Sequence, residues 1–293
     1  MKKGDEVIII APAGNADRKK LLSAIALIEN KGYKVLEGKY LFNKHFRFAG
    51  TTEQRLHDVE WALSHPSAKA VFMARGGYGC IHLIDAVQIH MLRQYPKWII
   101  GFSDITVFHN VLHNENIVSI HGTMPALFSQ AGTERSVQHL FELLEGKKYT
   151  YSTASCVFNK TGIASGPLTG GNLSILCSLI GTKNETDTRG KILFIEEVGE
   201  PLYKTERMLL QLKRAGKLKP LAGLLVGTFS DLKESEKEFG KNYMQMIFDI
   251  VREYTYPVYM QFSAGHQAAN YPLLLGATHT LSVGHNTSVL TLH

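Results

Sequence analysis

Short apolar runs that keep returning between helical patterns constrain this chain more than any other feature does. "EVIIIAPAG" (Glu6 to Gly14) is a buried strand that ends in a Pro/Gly turn, and "DRKKLLSAIALIENKG" follows with helical apolar spacing and Gly32 as a stop. "YKVLEG" is a strand, and "TTEQRLHDVEWALSHP" opens on a Thr/Glu capping pattern and stops before Pro66. "AKAVFMARGGYG" is a strand running into glycines, "IHLIDAVQIHML" reads as a helix, and "KWIIGFSD" is again a strand. "ITVFHNVLHNEN" is helical and "IVSIHG" extended. Fully apolar strands separated by amphipathic helices are the signature of parallel βαβ units with both sheet faces covered.

Near residue 150 the texture changes, because "GKKYTYSTASCVFNKTG" is polar, β-leaning and without helical period. We therefore expect one domain over residues 1–150 and a second over 164–293. The second half mixes helices in "GGNLSILCSLIG", "KTERMLLQLKRAG" and "KNYMQMIFDIVREY" with strands in "KILFIEEV", "LAGLLVGTF", "TLSVG" and "TSVLTLH". The fold class expected is α/β, a parallel-sheet N-terminal domain with a smaller, β-rich C-terminal one.

At 293 residues, with 44% hydrophobic and 20% charged residues, the chain can bury a sizeable core. A net charge of +6 is spread over short clusters rather than a stripe, which argues against a nucleic-acid groove. Three scattered cysteines make neither a disulfide framework nor a metal site, and suit a reducing cytoplasm. No run reaches the roughly 18 apolar residues of a membrane span, and the first apolar run is too short for a signal peptide.

Open parallel sheets place their chemistry at the C-terminal ends of the strands. Three glycine-bearing turns fall there: "APAGN", "ARGGYG" and "GFSD". In the last, Ser103 follows the run Trp98-Ile99-Ile100-Gly101-Phe102 and precedes a helix. Such a serine either caps the helix or is a nucleophile held on a tight turn. A nucleophile needs a base, an orienting acid and N–H donors for the oxyanion. The Asp104 amide, at a helix start, and the side-chain-free turn Gly76-Gly77 are candidate donors. Two histidines rival each other as base: His121 at the end of a strand, and His266 in the glycine-flanked loop "FSAGHQAANYPLLLG". Glu196 and Glu197 are adjacent on a strand and point to opposite faces, so at most one reaches a catalytic histidine. Neither a phosphate loop nor the full G-x-S-x-G elbow is present.

Taken together, "APAG", "AGTTEQRLHDVEWAL", "ARGGYG", "IIGFSDIT", "HGTM", "GPLTGGNLSIL", "LFIEEVGEPLYKTERML" and "AGH" resemble, in order and spacing, the LD-carboxypeptidases, a family that includes the microcin C self-immunity enzymes. The resemblance implies a flavodoxin- or Rossmann-like domain joined to a smaller β-rich one. It also implies a Ser–Glu–His triad of Ser103, Glu196 and His266, with the Gly77 and Asp104 amides as oxyanion donors. It implies no metal and no cofactor, and a homodimer. The chain departs from the pattern at "HGTM", where a proline is expected after the glycine, and at "SAGH", where a bulkier residue often stands.

The activity so implied is a cytoplasmic serine carboxypeptidase that releases terminal D-alanine from murein tetrapeptides, a small peptide partner. A carboxypeptidase must recognise a free carboxylate, and Arg75 beside the glycine turn is a candidate by position, a helix-facing or structural arginine being the other reading. Within the same chemistry, the chain could instead cleave peptidyl or aminoacyl sulfamoyl-adenylates, which need an aromatic platform; "EKEFGKNYMQ" and "NYPLL" supply aromatics. From a different class, it could be a small-molecule-binding module in which "GFSD" is only a helix cap.

Overall fold

A computed structural model describes residues 1–234 and 237–293. In chain order the first elements are β1 (Glu6–Ile10), α1 (Arg18–Asn30), β2 (Lys34–Glu37), α2 (Thr52–Ser64) and β3 (Ala70–Met73). They are followed by α3 (Met91–Gln94), β4 (Trp98–Gly101), α4 (Thr106–Asn114), β5 (Ser119–His121) and α5 (Glu134–Leu144). Then come β6 (Thr150–Ala154), β7 (Gly162–Asn172), α6 (Leu173–Leu179), β8 (Ile192–Val198), α7 (Leu202–Arg214) and β9 (Gly223–Ser230). The last are α8 (Tyr243–Val251), β10 (Val258–Tyr259), β11 (Leu273–Leu275), β12 (Thr278–Val283) and β13 (Thr287–Leu292).

The chain divides into two compact units. The first comprises Met1–Leu112, Val118–Lys147 and Ala268–Leu273; the second comprises His113–Ile117, Lys148–Gln267 and Leu274–His293.

The first unit is built on parallel strands in the order β5-β4-β3-β1-β2, with β1 paired to β2 and β3, and β4 to β3 and β5. Burial explains the apolar runs, since Val7 to Ile10 and Ala70 to Met73 are fully enclosed. Asp17 caps α1 by accepting the Lys20 N–H, and Leu21, Ala24, Ile25 and Ile28 form its buried stripe. Thr51 forms a capping box on α2, with Gln54 as its N3 partner.

One expectation fails here. The segment "IHLIDAVQIHML" is not a helix: a single 3₁₀ turn covers Cys80–His82, and only Met91–Gln94 closes an α-turn. Its bonds run largely to the third residue back, as from Leu83 to Cys80 and from Ala86 to Leu83. The β-branched residues at 81, 84, 87 and 89 weaken helix propagation, and the Cys80 N–H is taken by the Asp104 carboxylate.

The second unit carries a seven-stranded sheet of order β10-β9-β8-β7-β12-β13-β6. β7 to β10 run parallel, with α6, α7 and α8 in the connections, whereas β12, β13 and β6 are antiparallel. The eleven-residue β7 joins the halves: Gly162 to Pro167 pair with β12, and Leu168 to Asn172 with β8. An apolar cluster including Leu173, Leu193, Ile195, Leu209, Val226 and Ile247 packs beneath the parallel half.

Candidate active site

In the first unit, three turns at neighbouring strand ends abut one another. β4 leaves the sheet through Gly101, where a Cβ would stand 2.8 Å from Ile105 Cγ1, so only glycine lets the chain turn this tightly. Phe102 is extended and buried, and Ser103 then enters the left-handed region at φ 65°. That conformation costs a non-glycine residue about 1–2 kcal/mol. An N-cap serine sits in extended backbone, so Ser103 does not have the geometry of a helix cap.

The turn after β3 supplies a neighbouring wall. A Cβ on Gly76 would lie 2.9 Å from Ser103 Cβ and 3.1 Å from its Oγ, so the absent side chain is the space the serine uses. Gly77 follows at φ 116°. The Gly14 N–H, from the turn after β1, donates to the Gly76 carbonyl at 3.2 Å. Exposed Arg75 donates from Nη1 to the Asn15 carbonyl at 2.8 Å, so its guanidinium lies beside the same turns. Gly76, Gly77, Ser103, Asp104 and Arg75 are thus gathered at one edge of the first sheet.

His121, the rival base, is fully buried, with Nε2 against Asn270 Oδ1 at 3.2 Å and its ring tilted on Phe102.

The second unit holds the acid and the other histidine. Glu196 and Glu197 lie near the end of β8, and the structure gives them different partners. Glu196 is fully buried, and its Oε2 lies 2.7 Å from His266 Nδ1. Glu197 turns the other way and accepts from Asn172 Nδ2, the Ser174 N–H and the Val198 N–H, which ties it to the start of α6. Opposite Glu196 the register of β8 and β9 slips: Ile195 faces Val226, but Glu197 faces Phe229. Such a bulge re-aims a side chain.

Gly265 makes the pair possible. At φ 120°, its Cβ would sit 2.9 Å from both Cβ and Oε2 of Glu196. The loop is further fixed by Ser230 Oγ, which donates to the His266 carbonyl at 2.9 Å, and by the Thr228 N–H on the Ala264 carbonyl. Burial lowers the His266 pKa, but the hydrogen bond and charge of Glu196, with Glu197 and Asp231 further off, outweigh it and raise the value above its ordinary one. A carboxylate on Nδ1 fixes the tautomer with Nε2 as the basic nitrogen. Among the described residues, no group of three or more His, Cys, Asp and Glu could hold a metal ion, and no helix is long and apolar enough to cross a membrane.

Two of the aromatics weighed as an adenylate platform have ring partners of their own. Tyr243 stacks on Phe229 at 4.9 Å, and Tyr271 lies against His139 and Arg135. Residue 236, which begins the segment "EKEFGKNYMQ", lies outside the described residues.

Sequence reasoning missed Arg55. It is 2% exposed on α2, and its Nη1 donates to the carbonyls of Pro12 and Gly79 at 2.6 and 2.9 Å. A signal existed: Arg55 shares the helical phase of Val59, Ala62 and Leu63, so a cation stands on the apolar face.

Comparison with known proteins bears on both units. Residues 7–122 match the family model described as LD-carboxypeptidase N-terminal domain, and residues 165–281 match that of the C-terminal domain. A probable murein peptide carboxypeptidase of Bacillus subtilis is 36% identical over 99% of this chain and 92% of its own. A murein tetrapeptide carboxypeptidase of Pseudomonas aeruginosa is 30% identical over 94% of this chain and 92% of its own. The crystal structure of a muramoyltetrapeptide carboxypeptidase from Oxalobacter formigenes superposes with a TM-score of 0.89 at 30% identity, covering 98% of each chain. The microcin C7 self-immunity protein MccF shares the fold at a TM-score of 0.88, 17% identity and 99% and 97% coverage of the two chains.

Proposed function

The chain belongs to the LD-carboxypeptidase family, and from that premise we propose that it is a serine carboxypeptidase releasing the terminal D-alanine of murein tetrapeptides. The observation that carries this reading is the buried Glu196 carboxylate on His266 Nδ1, the acid–base half of a Ser–Glu–His triad. Ser103, strained at the end of β4 and walled by Gly76, is the nucleophile. His266 Nε2 takes the Ser103 proton as Oγ attacks the carbonyl carbon of the diamino acid's L-centre. Glu196 holds the imidazole and stabilises the imidazolium. The Gly77 and Asp104 amides receive the oxyanion, each such donor contributing about 3 kcal/mol of barrier lowering. When the C–N bond breaks, His266 returns the proton to the D-alanine amine. Water, activated by the same nitrogen, then hydrolyses the serine ester. Arg75 binds the terminal carboxylate. Recycled murein peptides make the cytoplasm the site of action, and the family resemblance makes a homodimer the working form.

D-Alanine release from a murein tetrapeptide tests the reading. Ser103→Ala and His266→Ala should each lose about 10³-fold or more in kcat with folding intact. Release undiminished in Ser103→Ala would remove the proposal. In the same assay, Arg75→Lys should raise KM for the free-acid peptide. An equal loss on a C-terminally amidated peptide would assign Arg75 another role. Likeness to MccF extends only to the fold at 17% identity, so no observation favours an adenylate substrate.

A further inference from the structure

The peptide that joins Gly79 to Cys80 is held from both of its polar ends. Its carbonyl accepts from Arg55 Nη1 at 2.9 Å, and its N–H donates to Asp104 Oδ2 at 2.9 Å. Both side chains are 2% exposed, so both bonds lie away from water, where such contacts are strong and their loss is costly. Arg55 Nη1 also reaches the Pro12 carbonyl at 2.6 Å, and its guanidinium lies over the Phe48 ring at 4.9 Å. Gly79, at φ 138°, is required for this approach, because a Cβ there would stand 2.6 Å from Nη1. One cation therefore binds the turns after β1 and β3. One carboxylate, on the residue next to Ser103, binds the turn after β3 to the turn after β4.

We propose that Arg55 and Asp104 are positioning residues for the oxyanion site, clamping the Gly79–Cys80 peptide so that the Gly76–Gly77 turn is held at fixed separation from Ser103. This rests on the reading of Ser103 as nucleophile and of the Gly77 and Asp104 amides as donors. Asp104 then has two roles, its backbone supplying one donor and its carboxylate placing the turn that supplies the other. Donors aimed at a developing charge act in the transition state, and a displacement of about 1 Å is enough to cost much of their effect. Loosening the clamp therefore lowers kcat and leaves ground-state binding nearly unchanged. It also explains the aspartate of "GFSD" and the last glycine of "RGGYG", neither of which the triad requires.

The test uses the full chain with Arg55→Met, Arg55→Lys and Asp104→Asn, the last keeping shape and an acceptor oxygen but not the charge. Arg55→Met and Asp104→Asn should lower kcat about 10- to 100-fold with KM within about threefold, and slow labelling of Ser103 by a fluorophosphonate in the same proportion. Arg55→Lys, which retains charge but not the forked reach, should fall between wild type and Arg55→Met. Thermal melting separates folding from function: the expected loss persists well below the melting temperature of each variant. A folded variant with kcat within twofold of wild type overturns the proposal, as does a loss that tracks the unfolded fraction. Should Arg55→Met not fold, Arg55→Lys and Asp104→Asn decide by the same criteria. Ser103→Ala in parallel keeps the two ideas apart, since activity surviving there refutes the serine mechanism, whereas an inactive Ser103→Ala beside unimpaired clamp variants refutes the clamp alone.

Discussion

Glu196 and Glu197 are the same residue type one position apart, yet one lies against an imidazole and the other fastens a helix start. Strand alternation dictates that they face apart; which face carries His266 is decided by the bulge in β9 and by the space at Gly265. The motif order pointed to Glu196, and nothing in the two residues themselves could. The consequence is measurable as a pH profile. The folded His266 pKa lies above its ordinary value, and as the proposed base it must be unprotonated, so kcat/KM should rise with pH along a limb centred above about 6.5. Glu196→Gln removes the nearest charge and leaves only a neutral acceptor on Nδ1, and should move that limb down while lowering kcat about 10²-fold or more. Glu197→Gln should move it much less. Equal displacement in the two variants would show that Glu196 has no special hold on the ring.

Elements with long, clean patterns were legible, and those set by their neighbours were not. β1 beyond Glu6, β3 and β4 are uninterrupted apolar runs, and α1 and α2 carry their own caps. The segment after "RGGYG" has helical apolar spacing but folds as linked turns, because its start is pinned from outside by Asp104. The end of α2 shows the same dependence. Its final carbonyls lack intrahelical donors, and buried Lys97, just ahead of β4, donates to Ala62, Leu63 and His65 at 2.9, 2.9 and 2.6 Å. Burial, with Lys69 nearby, draws its pKa down to about 8, which leaves it charged at neutral pH. Lys97→Met keeps the stem and strips the donors, and should cost about 2 kcal/mol or more in denaturant unfolding. A variant within about 0.5 kcal/mol of wild type would mean that water replaces the ammonium at no cost.

At the scale of the molecule, buried histidines decide how the fold answers acid. His109, His113 and His279 are nearly inaccessible, and burial lowers each pKa to about 4. Between about 4 and the unfolded value near 6.5, the unfolded chain binds more protons, so stability falls as pH drops through that window. His266 works in the opposite sense: its raised value contributes stability that is full below about 6.5 and is lost as pH rises through its folded pKa. Burial lowers the His139 pKa as well, so four histidines oppose one, and calorimetric Tm should fall between pH 6.5 and 5, with His109, His113 and His279 each costing about 2 kcal/mol at the lower end. A flat Tm across that window would show that these rings become solvated or charged without unfolding.

Sequence alone determined the parallel first sheet, because period and apolar run length specify strands and crossovers without reference to distant residues. It also placed the three glycine-bearing turns at the C-terminal ends of strands, since each follows an apolar run directly. Only the tertiary structure decided that the second sheet is half parallel, that Ser103 is left-handed, and that Arg55 and Asp104 close on one peptide. The reason is physical: propensity and periodicity act within a few residues, whereas a backbone strain, a bulge or a buried charge is stable only through partners brought from elsewhere in the chain.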